Sequence, residues 1–114
     1  VQTVAEFTKT APYRIVGTEP PSYEGFPADF AGCYDVINRA KVDFAKVSAK
    51  DLEGTESREF ALKMGPREMD FTGISYLSGF LIPNLHFHLT TIYNILRHNG
   101  VPLGKFDYFG GQSV

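Results

Sequence analysis

Residues 73–100, GISYLSGFLIPNLHFHLTTIYNILRHNG, carry the strongest structural signal of the chain. Their apolar side chains recur at steps of three and four residues, which is the spacing of a buried helical face. Thr72 is suited to cap the start of this helix, while Gly100 and Pro102 are suited to end it. The sequence therefore predicts a long last helix from about Gly73 to Asn99.

Two earlier segments show the same helical spacing. The first predicted helix ends at about Val16, and its apolar face consists of Val1, Val4, Phe7, Ala11 and Ile15. The second runs from about Pro27 through Ser48, with Asp29 at its positive end, after a loop rich in Pro and Gly. Its stripe, which we expect to cover a core, comprises Phe30, Cys33, Tyr34, Ile37, Ala40, Lys41 and Phe44. The polar residues that we expect to face outward in opposite-charge pairs are Asp35, Arg39, Asp43 and Lys46.

Two prolines lie inside the helical patterns. Pro12 lacks a backbone donor and its ring clashes with the carbonyl of Thr8, so we expect a kink or a break there. Pro83 frees the carbonyl of Gly79, and this spacing of Gly and Pro also predicts a kink.

A small β-hairpin is predicted between the second and the last helix. Apolar residues alternate on both sides of a turn at Gly65 and Pro66, and they are Phe60, Leu62 and Met64, then Met69 and Phe71. Two strands alone are marginal in water, so we expect the hairpin to lie across the end of a helical bundle.

The composition is that of a folded soluble domain. The chain has 114 residues, 43% of them hydrophobic and 21% charged, which is enough for one core. Its formal net charge of −2, without a run of either sign, argues against a nucleic-acid partner. The apolar stretches are too short to cross a bilayer and no export signal opens the chain, so we expect no membrane partner and a cytoplasmic location. The single Cys33 is expected to be a buried, inert thiol.

His86 and His88 are the side chains most able to carry chemistry. They are two residues apart and point to nearly opposite sides of the last helix, so they cannot share one metal ion within a chain. Asn84 and His88 are four apart and face the same way. His88 is therefore either one ligand of a metal site completed by other helices or a hydrogen-bonded histidine in a polar pocket of the core. The sequence contains no nucleophile elbow, phosphate loop or HExxH arrangement.

Several blocks of the sequence resemble one family. The blocks PNLHFH, ILRHNGVPLGK and DYFG, and the opening VQTVAEFTK with the GTEPPSYE loop, resemble the DUF1993 family of the DinB/YfiT-like four-helix-bundle superfamily. The resemblance implies that residues 1–114 form a single all-α domain, a DinB-like up-down helical bundle with a small β-hairpin before the last helix. It also implies that only three of four long helices are seen, because family members carry one more helix before the segment that opens this chain.

The resemblance also bears on metal binding. The superfamily commonly binds a divalent metal through three histidines, and the match places their positions near Gln2 and at Asn84 and His88. Only His88 is a histidine here. The resemblance thus implies either a polar cluster of these three residues around a water, or a degenerate site that holds Zn²⁺ or Ni²⁺ through His88.

The functional expectation follows from the helix that is not seen. Three helices shaped for a four-helix core leave an apolar groove, which either the missing helix or a second copy must fill. We expect a homodimer through this face, and a non-catalytic interaction or small-ligand-binding protein without a cofactor. The alternative is a metal-dependent, thiol-transferase-like enzyme that uses His88, with His86 or Tyr93 supplied by a partner chain.

Overall fold

The computed structural model describes residues 1–111, which are mostly helical with one two-stranded antiparallel sheet. None of the described helices combines the length and apolar character that a bilayer crossing requires. The elements in chain order are α1 (Gln2–Val16), α2 (Phe30–Phe44), α3 (Ala49–Leu52), β1 (Glu59–Met64), β2 (Arg67–Thr72), α4 (Gly73–Ser75), the π-segment (Tyr76–Leu81), α5 (Ile82–His98) and α6 (Lys105–Tyr108). We call the continuous run of α4, the π-segment and α5 the last helix.

The predicted ends of α1 and of the last helix are confirmed. Thr72 caps α4 because its hydroxyl accepts from the Ser75 amide, and the Ser75 hydroxyl accepts from the Thr72 amide in return. Gly17 and Gly100 follow the two helices with φ angles of 85° and 88°, a conformation that favours glycine. Helix α1 runs through Pro12 without a break.

Helix α2 begins later than the sequence pattern suggests. Its first residue is Phe30 rather than Pro27, because the Asp29 carboxylate accepts a 2.7 Å hydrogen bond from the Gly32 amide and caps the helix. Helix α2 also ends at Phe44, before the predicted Ser48. The short helices α3 and α6 lie in segments where the sequence pattern predicts no helix.

The core lies where α1, the hairpin and the π-segment meet. Tyr76 is fully buried at its centre, and its ring contacts those of Phe60, Phe71 and Phe80 with centroid distances between 5.3 and 5.6 Å. The register of the hairpin pairs Phe60 with Phe71, so both rings reach the core from adjacent strands. The prediction of a hairpin packed across the helices is confirmed, and Ile15 of α1 completes this core.

The predicted inner face of α2 is wrong except at Ala40. The side that packs on α1 and the preceding loop consists of Gly32, Val36, Ala40 and Asp43. Phe30, Tyr34, Ile37 and Phe44 are exposed, and Cys33 is half-buried. Gly32 lets the preceding loop approach closely, since a Cβ at this position would lie 1.9 Å from the carbonyl oxygen of Pro27.

Near Pro83, where the sequence predicts a kink, the structure has a π-segment. The Ile82 amide donates to the Leu77 carbonyl, five residues back, instead of to the residue four back. Downstream, the side-chain amide of Asn84 donates 2.7 Å to the Phe80 carbonyl. A wider turn therefore accommodates the proline without ending the helix.

Candidate functional site

An open groove runs along α1 between α2 and the last helix. One end is a cavity of about 280 Å³, bounded by Ile37 and Lys41 of α2 and by Leu89 and Ile92 of α5. The other end is a cavity of about 300 Å³, which Phe44 borders from α2. The floor of the groove is formed by residues of α1, which are Val1, Val4, Ala5 and Thr8 at the first end, and Ala11, Pro12 and Ile15 at the second.

The lining of the groove is almost entirely apolar. Lys41 at one end and Glu56 at the other are its charged side chains. The last helix contributes Ile74, Leu77 and Leu81 to the second cavity. Such a surface offers no cluster of groups for proton transfer or nucleophilic attack, but it offers apolar area to a helix or an apolar molecule.

The exposed area of the molecule is large for its mass. A folded chain of 12.7 kDa is expected to expose ~6,200 Å². This chain exposes 8069 Å², an excess of about 1,900 Å². Its radius of gyration of 15.6 Å likewise exceeds the ~13 Å expected for its length. The open groove and the long loop between α1 and α2 contribute to this excess.

The structure does not join Gln2, Asn84 and His88 by hydrogen bonds. Gln2 is exposed on the first turn of α1, beside a cavity that Tyr23 also lines. The amide of Asn84 bonds within its own helix. The ring of His88 is half-buried and lies 6.0 Å from that of Phe7. Gln2 thus lies beside a cavity that neither Asn84 nor His88 borders, while those two residues lie on the last helix.

His86 and Tyr93 do come together, through α6. The Nδ1 atom of His86 lies 2.8 Å from the Tyr108 hydroxyl, which also accepts a 3.4 Å bond from Thr90. The ring of Tyr93 packs edge-on against Tyr108, and its hydroxyl accepts a 2.9 Å bond from Arg97. These exposed contacts attach α6 to α5.

The described residues do not form a metal site. No three His, Cys, Asp or Glu side chains within residues 1–111 stand close enough together to hold one ion. His88 has aromatic neighbours, Phe7 and Phe87, rather than further ligand atoms. A metal at His88 would need its other ligands from elsewhere, since a catalytic zinc takes three protein ligands.

A buried polar network near α2 is absent from the sequence predictions. Asp43, predicted to face outward, is only 4% exposed. Its carboxylate accepts hydrogen bonds from the Tyr23 hydroxyl and, at 2.6 Å, from Lys46, so the predicted pairing with Lys46 is confirmed. The Tyr13 hydroxyl donates 2.9 Å to the Asp43 backbone carbonyl. The spacing of apolar residues does not reveal this network, because its members are polar and come from α1, the proline-rich loop and the end of α2.

Lys9 belongs to the same network and is also buried. Its ammonium group donates 2.9 Å to the Pro21 carbonyl, pairs with Glu6 at 2.8 Å and lies 3.9 Å above the ring of Tyr23. Arg39 also lies over this ring, at 4.7 Å. Lys9 and Asp43 thus hold the proline-rich loop against α1 and α2.

The protonation of this network follows from its contacts. The hydrogen bond from Lys46, and then that from Tyr23, hold the pKa of Asp43 below its ordinary value. Burial, and then the bond to Asp43, raise the pKa of Tyr23. A charged carboxylate and a neutral phenol, each with its partner, stabilise the fold and are not free to act on a substrate.

Comparison with known proteins identifies the family. The sequence model of DUF1993, described as a domain of unknown function, matches residues 1–109. The chain belongs to the DUF1993 family. The crystal structure of a DinB family member protein from Shewanella denitrificans resembles this DUF1993 chain with a TM-score of 0.86 and 28% sequence identity. The match covers 99% of this chain and 64% of that protein, so the chain spans less than two thirds of its length. No functionally curated protein is significantly similar to the chain.

Proposed function

We propose that this DUF1993 chain is a non-catalytic helical interaction protein that forms a homodimer through its open groove. The helices α1, α2 and the last helix then occupy three positions of a four-helix bundle, and a second copy covers the fourth. The observation that carries the proposal is the apolar groove, whose two cavities of about 280 and 300 Å³ lie along one face. Exposed apolar grooves rimmed by polar residues are typical of interaction surfaces.

The chemistry of the groove supports binding over catalysis. Its charged groups, Lys41 and Glu56, line opposite cavities, so no acid and base converge on one point. Within residues 1–111, four titratable groups have clear pKa shifts. Tyr23, Asp43 and Lys46 are bonded to one another in a different part of the molecule, and Asp51 is bonded to Ser48 at the start of α3. We therefore assign the groove a binding role.

The mass of the protein in solution tests this proposal. Light scattering coupled to size exclusion should give a mass of about twice 12.7 kDa at micromolar concentration, with dissociation on dilution. Circular dichroism on the same samples establishes that the chain is folded. A well-folded monomer at every concentration up to about 200 μM, above the range of most specific complexes, would refute the dimer.

Metal analysis separates this function from the transferase-like alternative. We expect the purified protein to hold no stoichiometric Zn²⁺ or Ni²⁺ and to unfold at the same temperature with and without a chelator. The variant His98→Ala is a matched control for His88→Ala, because both residues lie on α5. Stoichiometric metal that is lost in His88→Ala and kept in His98→Ala would favour the enzyme.

A further inference from the structure

Helix α2 has an exposed, mostly apolar stripe. We call it the outer stripe, and it consists of Phe30, Tyr34, Ile37, Lys41 and Phe44. These residues are separated by steps of four, three, four and three, the spacing of a helix that packs along another helix. The apolar members are 79%, 68%, 39% and 51% exposed, respectively. The opposite side of α2 already packs on α1, so the outer stripe is a second apolar face on the same helix.

We propose that the outer stripe binds the outer stripe of a second copy, with the two α2 helices antiparallel and Ile37 on the symmetry axis. This proposal rests on the dimer described above and names the α2 contact that forms it, since Ile37, Lys41 and Phe44 of the stripe also border the groove. Because Ile37 is the middle residue of the stripe, this register covers the whole stripe in both copies. It brings Phe30 against Phe44 of the second copy, and Tyr34 against Lys41 of the second copy.

The charge on Lys41 decides the direction of the two helices. In a parallel pair, each residue of the stripe would face its own equivalent, and two Lys41 ammonium groups would meet within an apolar surface. In the antiparallel pair, each Lys41 faces a Tyr34 ring, which can accept a cation on its face and a hydrogen bond on its hydroxyl. The stripe is therefore complementary to itself in only one of the two directions.

The exposed area is sufficient for a weak, reversible dimer. An aromatic side chain covers about 150–250 Å², so the exposed parts of the four apolar residues amount to about 500 Å² in each copy. Burying both stripes would remove about 1,000 Å² from water, which is the threshold for a biological interface and less than the roughly 1,200–2,000 Å² of stable ones. A small molecule would leave most of this stripe uncovered, since α2 is about 22 Å long. We therefore expect a dimer that dissociates at micromolar concentrations.

Charge substitution on α2 tests which face forms the dimer. Ile37→Asp should raise the dimer dissociation constant by about 30-fold or more, because it removes the central apolar contact and brings the two new carboxylates together on the axis. The matched variant is Val42→Asp, which places the same charge on an exposed position of α2 outside the stripe. It should leave the dissociation constant within about 3-fold of the parent, as expected for a change outside the contact. A dimer that survives Ile37→Asp, or that both variants weaken equally, would overturn the α2 contact and leave the homodimer itself intact.

Cysteine cross-linking tests the register. In a Cys33→Ser background, Ile37→Cys should form a disulfide-linked dimer under mild oxidation, since equivalent residues on the axis are closest. Phe30→Cys and Phe44→Cys should each remain uncross-linked when alone and cross-link when the two proteins are mixed. Cross-linking of either variant by itself would indicate parallel helices and refute the proposal. A wild-type chain that is monomeric at all concentrations would instead refute the dimer on which the proposal rests.

Discussion

The two sides of α2 are both suited to packing, yet only one of them is covered within the chain. The inner side, with Val36 and Ala40, packs against Ala5 of α1. The outer side carries larger apolar residues, among them Phe30 and Tyr34, and is exposed. The difference shows that the side with more apolar area is not always the side that packs within the chain, because close helix packing also requires small residues. A helix whose apolar residues extend around both sides has two surfaces to bury.

The largest effect on stability is expected when a tyrosine of the core, rather than one of the outer stripe, is replaced. Tyr76→Ala should reduce the free energy of unfolding by about 3–5 kcal/mol, because the ring is fully buried among three other aromatic rings. Tyr34→Ala on the outer stripe should change it by about 0.5 kcal/mol or less in dilute protein. Urea unfolding followed by circular dichroism measures both values. Equal losses would mean that the outer stripe is buried in the single chain.

Two valines on α2 give the same test on one helix. Val36→Ala should cost about 2 kcal/mol, since it removes two buried methyl groups and leaves a small cavity. Val42→Ala, on the exposed side, should stay within about 0.5 kcal/mol of the parent. The comparison uses urea midpoints at equal m-values. A larger effect at Val42 would reverse the assignment of the two faces.

A smaller effect on stability is expected at Asp43, which is buried near the end of the inner side of α2. The hydrogen bonds from Lys46 and Tyr23 lower the folded-state pKa of Asp43 below the unfolded value of about 3.9. The charged carboxylate therefore stabilises the fold above about pH 4, and this contribution is lost as the pH falls through the lower folded-state pKa. Asp43→Asn should cost about 1–2 kcal/mol at pH 7, and this cost should decrease as the pH falls below about 4.

The control for this pH dependence is Asp35→Asn, an exposed carboxylate on the same helix. It should retain the pH profile of the parent. The free energy of unfolding is measured by urea titration at half-unit steps between pH 3 and pH 7. If Asp43→Asn and the parent lose stability in parallel on acidification, the lowered pKa of Asp43 does not stabilise the fold.

The smallest effect is expected at α6, where the contacts are exposed. Tyr108→Phe removes the hydrogen bonds to His86 and Thr90, and should change the global free energy of unfolding by about 0.5 kcal/mol. Amide hydrogen exchange in α6 should rise by about 2-fold or more, because local opening needs less free energy. Tyr34→Phe is the same change on α2 and should leave that exchange rate unaltered.

The sequence predicts the capped ends of α1 and of the last helix, although both ends of α2 differ from the prediction. Thr72, Gly17 and Gly100 act through local backbone geometry, so the residues themselves specify where a helix starts or stops. The hairpin likewise follows from alternation around Gly65. These features need no knowledge of the rest of the chain, and the structure confirms them.

The candidate site depends on long-range contacts, and the sequence predicts less of it. The spacing of apolar residues shows which of them share one side of a helix, but it does not show which neighbouring element covers that side. The predicted inner face of α2 is therefore mostly wrong. Asp43 and Lys9 are buried because Tyr23 and Pro21, in a loop without periodic pattern, reach both of them. One signal was present in the sequence: apolar or small residues occur on both sides of α2, so its apolar surface is wider than one packing partner requires.

The π-segment sets the rotational frame of the last helix. Its wider turn adds one residue to the path between the hairpin and α5. Deleting one residue there, such as the exposed Ser78, would restore ordinary helical bonding and leave Leu89 and Ile92 facing the groove, because the wide turn already absorbs that residue. Deleting one residue of α5 before Leu89 would instead rotate everything downstream by about 100° and turn both side chains away from the groove. The π-segment is thus a place where the chain can lose a residue and keep its binding face.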